Sequence, residues 1–302
     1  MSPPLSLWSH LEAVLQRCGA HECCVLLLDY DGTLTPIVPH PDDAYLRPAM
    51  QELLSVLARH PRYRVAVVSG RALDDLRGRV AGGVLYLAGN HGLEIEGPGG
   101  RHEYPEVRRL RPQIRALAQA LQRDLAGVPG VLIEDKGMTL SVHYRRVPAA
   151  CVPTLKARFM AHAGPAVRAG GFRLGTGKAV LEVRPHVPWD KGEAVRWIVE
   201  RLRQDLPTAS LLAIYVGDDD TDEDAFRVLT STGIGIVVGS DRRHSAARYF
   251  VESVEEVERF LKGLSELTWP SPPLSGGAGG TVGSPRLATG LGAGEPRARP
   301  RK

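Results

Sequence analysis

Residues 24–28, 64–68 (apolar from Val65), 84–88, 211–216 and 234–238 are short apolar runs, and the stretches from about 47 onward and over 71–80, 190–206 and 222–229 have helical spacing of their apolar positions. Strands this short and this apolar must be covered on both faces, and alternating strands with helices lets each connection lay a helix over the sheet. The pattern restricts the chain to an α/β fold built on a doubly wound parallel sheet. The alternation breaks once. Between residues 96 and 185 run a helical stretch (107–125), two strand-like runs (131–135 and 139–144), a second helix (152–162) and two more strand-like runs (172–174 and 179–183). Paired strands with two helices describe an α+β insert. The expected organisation is a discontinuous core of residues 1–95 and 186–265, an α+β cap of residues 96–185, and a tail of residues 266–302. Ser253 with Glu256 three residues on reads as a capping box opening the last helix of the core.

Charge has to be located before it is interpreted. The chain of 302 residues carries a formal net charge of +4. From Pro270 onward there are five basic residues and one acid, and the remainder holds 33 of each sign. The body is formally neutral, so the basic balance does not argue for a nucleic-acid face. Residues 270–302 include 14 Gly or Pro and almost no branched apolar residues, a composition that predicts disorder. The longest apolar runs are strand-sized, well short of the roughly 20 residues a bilayer requires. Cys18, Cys23, Cys24 and Cys151 have neither the spacing of a zinc site nor that of a disulfide framework. A soluble, cytoplasmic, monomeric protein with no nucleic-acid or membrane partner is expected.

Four motifs sit where such strands end. Asp29-Tyr30-Asp31-Gly32-Thr33-Leu34 follows the run 25–28, and the carboxyl ends of parallel strands form the ligand crevice of an open sheet. Two carboxylates one residue apart supply a nucleophile able to attack phosphorus and a second group able to shuttle protons. A bare DxDG is also what an acidic turn closing a strand looks like. Ser69-Gly70-Arg71 follows the run 64–68, where a hydroxyl beside a helix N-terminus can donate to a phosphate oxygen or simply cap the helix. Lys191, after a capping Asp190, opens a helix against the macrodipole, an unfavourable position that binding a phosphoryl group would explain. Gly217-Asp218-Asp219-Asp220-Thr221-Asp222-Glu223-Asp224 follows the run 211–216, and some of these acids merely favour a helix N-terminus. If Asp218 and Asp219 meet Asp29 and Asp31, four carboxylates cannot all stay ionised without a cation, and a hard divalent ion, Mg²⁺, suits both oxygen ligands and phosphate chemistry.

In this order, each at its own strand end, the motifs resemble those of the haloacid dehalogenase superfamily. The resemblance implies Asp29 as nucleophile, Asp31 as acid/base, and Ser69 and Lys191 as phosphate ligands in the catalytic set. It implies Mg²⁺ held by Asp29, the Asp31 carbonyl and Asp218, with Asp219 beside them, and a cap over the site. Within the superfamily, residues 22–262 are most similar to trehalose-6-phosphate phosphatases, through Gly89-Asn90-His91-Gly92, Glu134-Asp135-Lys136-Gly137, Ser141-Val142-His143-Tyr144-Arg145, Lys178 and Leu181-Glu182-Val183-Arg184-Pro185. That similarity implies a small sugar-phosphate substrate contacted by Gly70, Arg71, Asn90, His91, Glu134, Lys136, Lys178 and Glu182. A trehalose-6-phosphate synthase is the implied pathway partner. The shared motifs leave open a phosphatase for sucrose phosphate or mannosylphosphoglycerate, or a non-catalytic sugar-phosphate sensor or interaction subunit. The intact pair Asp29 and Asp31 argues against the last, since a binding protein needs neither nucleophile nor acid/base.

Overall fold

All six residues of the strand Cys23–Leu28 are buried, and they divide between two cores. Cys24, Leu26 and Leu28 pack into one, Val25 and Leu27 into the other. The pleat sends successive side chains to opposite faces, so a strand with no polar face must be sandwiched. The computed structural model describes residues 3–80, 83–207, 209–239, 244–269 and 286–287.

In chain order, β1 (Leu5–Ser6), α1 (Leu11–Gly19), β2 (Cys23–Leu28), α2 (Pro48–Arg59), β3 (Tyr63–Val68), α3 (Leu73–Arg79) and β4 (Tyr86–Gly89) are followed by a hairpin of β5 (Glu94–Gly97) and β6 (Gly100–Glu103). The insert supplies α4 (Arg111–Asp124), β7 (Leu132–Asp135), β8 (Leu140–His143), α5 (Val152–Arg168), β9 (Phe172–Gly177) and β10 (Val180–Pro185). Then come α6 (Lys191–Asp205), β11 (Leu211–Gly217), α7 (Asp222–Leu229), β12 (Ile234–Val238), β13 (Tyr249–Val251) and α8 (Val254–Ser265). The main sheet has nine strands in the order β1-β13-β12-β11-β2-β3-β4-β5-β6. It is parallel from β1 to β4 and antiparallel through the hairpin. Helices α1, α2 and α8 cover one face, α6 and α7 the other. The sheet is therefore doubly wound, as the alternation of strand and helix requires.

From β2 the chain moves outward through β3 and β4, then returns to build β11, β12 and β13 on the other side. The order reverses between β2 and β11, and the crevice at their carboxyl ends is the binding position that a doubly wound sheet offers. Asp29 and Asp218 stand at these two ends.

The insert folds as an antiparallel four-stranded sheet, β7-β8-β10-β9, with α4 and α5 packed on one side. Leu140, Val142, Leu181 and Val183 point into that apolar layer, so the alternate residues Ser141, His143, Glu182 and Arg184 face away from it. Period-two alternation thus gives the cap sheet one apolar and one polar face.

Some details depart from the sequence expectation. The β5–β6 hairpin extends the main sheet, so a boundary at residue 96 falls inside it; Glu94 and Glu96 gave no apolar signal because they pair with Arg101 and Arg77. Helix α5 runs on through Pro165 to Arg168, since Ala163, Ala166 and Val167 continue its packed face beyond His162. At α8 the expected capping box is not made. Glu256 accepts from the amide of Glu252, one residue before the cap, at 2.7 Å, and the Ser253 side chain makes no capping hydrogen bond. Of the expected tail, 266–269 continue from α8, with Leu267 buried and pairing with Leu287 and Trp269 packed against Tyr63. The rest of the disorder expectation, over 270–302, lies outside the described residues apart from 286–287. Among the described residues no helix is long and apolar enough to cross a membrane.

Candidate active site

The cleft between the carboxyl edge of the main sheet and the polar face of the cap sheet is lined by Asp29, Asp31, Ser69, Gly70, Arg71, His91, Lys191, Asp218 and Asp219 from the core, and by Glu134, Lys136, His143, Arg145, Lys178, Glu182 and Arg184 from the cap. The expected site residues are thus brought together, with Asn90 as the exception.

Asp29 ends β2, with its amide donating to the Val216 carbonyl at 2.9 Å. Its carboxylate accepts from Lys191 Nζ at 2.6 Å, and the same ammonium donates to Asp222 at 2.7 Å. Asp190 caps α6 by accepting from the Glu193 amide at 3.0 Å, and the adjacent Lys191 is buried with its charge turned into the site. The unfavourable helix position is offset by two buried carboxylates. Burial alone would lower the Lys191 pKa; Asp222 and Asp29 outweigh it and hold the ammonium well above its usual range. Asp29 is pushed well above the usual carboxylate range by burial, with Lys191 opposing and Asp222 and Asp218 adding to the rise.

Asp222 is the residue the sequence did not distinguish. It is fully buried. One oxygen accepts from Lys191 and, at 2.6 Å, from the Tyr215 hydroxyl; the other accepts from the amides of Asp218 and Asp219, both at 2.9 Å. Its carboxylate organises the turn after β11. The neighbouring Glu223 accepts from Ser245 Oγ at 2.6 Å and the Ala246 amide at 2.7 Å, tying a second loop to the same helix end.

Carboxylate oxygens of Asp29, Asp218 and Asp222 lie within 4.8 Å of one another. Those of Asp222 are both engaged, whereas Asp218 Oδ1 is buried without a hydrogen-bond partner. Burial pushes the Asp218 carboxyl up to about 6, even though the Lys178 ammonium is bonded to its other oxygen. An orphaned buried oxygen beside a second carboxylate suits a hard cation. Gly32 makes room for the Asp218 carboxylate: with φ +88°, a Cβ there would lie 2.1 Å from it. Asp219, expected with the metal ligands, is engaged elsewhere; Asp31 was expected there through its main-chain carbonyl, not its side chain. The Asp31 carboxylate pairs with Arg71, and Asp219 accepts from the amide and hydroxyl of Thr221 at 2.6 and 2.7 Å. The acid closing the cluster is Asp222, which comes one helical turn later because the chain reverses between Asp219 and the start of α7.

Ser69 Oγ accepts from the Arg71 amide at 3.2 Å, and the Gly70 carbonyl accepts from Lys136 Nζ at 3.0 Å, so a cap residue reaches the phosphate-site loop. Glu182 accepts from Ser141 at 3.1 Å and pairs with Arg184, with Lys136 at 3.7 Å and His91 at 3.6 Å. Burial would raise its pKa; Arg184, His91 and Lys136 outweigh that and hold it well below the usual range. Glu134, likewise raised by burial but stabilised more by Lys136 and His143, is held at about 2. Asn90 is fully buried and saturated. It donates to Glu94 at 2.6 Å and to the Lys136 carbonyl at 3.2 Å, and accepts from Thr139 at 2.6 Å. It ties cap to core and is not positioned to touch a substrate. Its polar side chain in a strand-end turn looked the same in the sequence as that of a ligand.

His91 lies beside Gly70 with φ 59°, and both ring nitrogens are buried without a hydrogen-bond partner, the nearest carboxylate being Glu182 at 3.6 Å. Burial first, then Arg184, lowers its pKa to about 4 against the pull of Glu182. Unfolded, this ring takes up a proton as pH falls through 6.5; folded, it does not until about 4. At this ring the unfolded state binds more protons across that window, so the contribution of His91 to stability falls as pH drops from 6.5 towards 4. We expect the melting temperature of His91→Asn, a residue tolerant of positive φ, to fall less steeply over the same window. Parallel melting curves would remove His91 as the cause.

The family model for trehalose-phosphatases matches residues 27–255. The chain is 33% identical over 253 residues to trehalose-phosphate phosphatase B of Arabidopsis thaliana, covering 80% of this chain and 66% of that protein. It is 36% identical over 262 residues to probable trehalose-phosphate phosphatase 3 of Oryza sativa subsp. japonica, covering 80% and 69%. The chain therefore spans about two thirds of the length of these relatives. Among solved structures, the C-terminal domain of the Candida albicans trehalose-6-phosphate phosphatase has the same fold, with a TM-score of 0.72 at 23% identity over 88% of this chain and 98% of that one.

Proposed function

The chain belongs to the trehalose-phosphatase family, and from that premise we propose that it hydrolyses trehalose 6-phosphate to trehalose and phosphate, using Mg²⁺ and an aspartyl phosphate on Asp29. The observation that carries this reading is the Asp29 carboxylate at the end of β2, bonded to Lys191 at 2.6 Å and lining one cleft with the polar face of the cap sheet.

An oxygen of Asp29 attacks phosphorus while the bond from phosphorus to the sugar oxygen breaks, its electron pair leaving with the sugar. Asp31 gives that oxygen a proton. It then accepts a proton from the water that attacks the aspartyl phosphate, and the Asp29 carboxylate is released. Ser69 Oγ and Lys191 Nζ donate to the phosphoryl oxygens, and Lys191 stays charged, with Asp222 as its carboxylate partner while Asp29 is esterified. Asp29, Asp218 and the Asp31 carbonyl would hold Mg²⁺, which when bound would supply positive charge to the phosphoryl group. A trehalose-6-phosphate synthase stands upstream as the source of substrate.

The test is phosphate release from trehalose 6-phosphate, sucrose phosphate, mannosylphosphoglycerate and glucose 6-phosphate, each with Mg²⁺ and with a chelator. Trehalose 6-phosphate should give the highest kcat/KM, and the chelator should abolish it. Comparable rates on all four would sink the substrate assignment, and chelator-insensitive turnover the metal.

Specificity belongs to the cap, because the core groups act on any phosphoryl group that reaches them. Glu182→Ala should lower kcat/KM for trehalose 6-phosphate about tenfold or more, the loss expected for one hydrogen bond to a charged group. Hydrolysis of a small aryl phosphate, too short to reach Glu182, should change much less. Equal losses on both would show that Glu182 supports the fold of the cap.

A further inference from the structure

Arg71 was expected to contact the substrate, but its guanidinium is committed elsewhere. Nε donates to Asp31 Oδ2 and Nη2 to Asp31 Oδ1, both at 2.7 Å. Nη2 also donates to the Pro41 carbonyl at 2.8 Å, and Nη1 to Asp75 at 2.9 Å. The group lies 5.1 Å from the centre of the Tyr30 ring and is 5% exposed, whereas Asp31 is 36% exposed. Arg71 is thus held from three sides, by α3, by the loop at Pro41 and by Tyr30. It presents a fixed fork to one carboxylate.

We propose that Arg71 is a positioning residue for Asp31: it sets the plane and orientation of the acid/base carboxylate and does not itself bind the substrate phosphate. A bidentate fork takes one lone pair from each oxygen and fixes rotation about the Cβ–Cγ bond. The second lone pair on each oxygen remains for proton transfer. Turning Arg71 to a phosphate would break a charge pair in which the arginine is buried and remove one of the two donors on Asp75 and on the Pro41 carbonyl, which keep only Arg79 and the Ala44 amide, a costly exchange. A cation fixed in this way acts through geometry, and its loss should be felt where protonation of the leaving group matters.

The proposal rests on the reading of Asp31 as acid/base, and its test is independent of which sugar is recognised. Phenyl phosphate needs its leaving oxygen protonated far more than p-nitrophenyl phosphate does, so the two separate acid catalysis from phosphate binding. For Arg71→Gln we expect kcat on phenyl phosphate to fall by about 10- to 100-fold, the scale of a general-acid contribution. On p-nitrophenyl phosphate kcat should fall by no more than about threefold, with KM and inhibition by inorganic phosphate little changed. Arg71→Lys, which keeps the charge without the fork, should lie between Arg71→Gln and the unsubstituted enzyme, and it carries the test if Arg71→Gln does not fold. In an Asp31→Asn background, neither Arg71 substitution should lower phenyl phosphate turnover further. Equal losses on the two aryl phosphates with raised KM and weaker phosphate inhibition, or losses that multiply with that of Asp31→Asn, would overturn the proposal and return Arg71 to the phosphate. If the unsubstituted protein releases phosphate from neither the aryl phosphates nor trehalose 6-phosphate, the phosphatase reading itself fails, a result distinct from either.

Discussion

Asp29→Asn is expected to abolish release of phosphate from trehalose 6-phosphate, by on the order of 10⁴-fold or more, as loss of a nucleophile does elsewhere. An amide is nearly isosteric with the carboxylate and can still accept from Lys191, but it cannot form the phosphoryl ester. Stability should not follow activity. Burial, with Asp222 and Asp218 nearby, already disfavours a charge on Asp29, so a neutral side chain there relieves crowding among the acids. The melting temperature should be unchanged or higher, as expected of a site that holds like charges together for chemistry. Near-normal phosphate release by this variant would rule out the covalent route, and a large fall in melting temperature would show that Asp29 holds the fold together.

The second large effect is expected at Asp222, which touches no substrate in the proposed mechanism. Four donors converge on its two oxygens: Lys191, Tyr215 and the amides of Asp218 and Asp219. Asp222→Ala leaves all four without that acceptor and deprives the buried Lys191 of one of its two counter-charges. A cost of about 3–5 kcal/mol in stability is expected from breaking a buried charge pair on one side. Turnover should be lost as well, since the turn carrying Asp218 is held by the same carboxylate. Tyr215→Phe removes only one of the four bonds and should cost about 1 kcal/mol. Chemical denaturation of both variants measures the two values. If Asp222→Ala is no less stable than Tyr215→Phe, the network is not what fixes this turn.

The two residues differ in how far the sequence could disclose them. Asp29 directly follows a strand buried on both faces, and a parallel sheet sends the carboxyl ends of its strands to one crevice. Ser69, Lys191 and Asp218 occupy equivalent positions at strand ends or at a helix start beside them, so pattern and spacing were enough to bring them together. Asp222 lies in the first turn of α7, where an acid is favoured by the helix alone, and nothing local separates it from Asp224, which pairs with Arg227 in solvent. The polar face of the cap sheet was also legible in part, through the alternation of Ser141 and His143 with Leu140 and Val142.

What the sequence by itself determined, then, was the doubly wound core, the interrupting insert and the motif residues at the sheet edge, because apolar periodicity fixes which faces are buried and therefore where strands end. Only the tertiary structure decided how the charges pair. Arg71 with Asp31, Lys178 with Asp218 and Lys191 with Asp29 are contacts between residues 40, 40 and 162 positions apart. Such pairs leave no periodic trace, since a long charged side chain is compatible with many partners until the fold puts one within reach. The same holds for Asn90, whose saturation by Glu94, Lys136 and Thr139 makes it a tie between cap and core. A polar residue's role depends on whether its neighbours or a ligand satisfy its hydrogen bonds, and that is decided only when the chain closes around it.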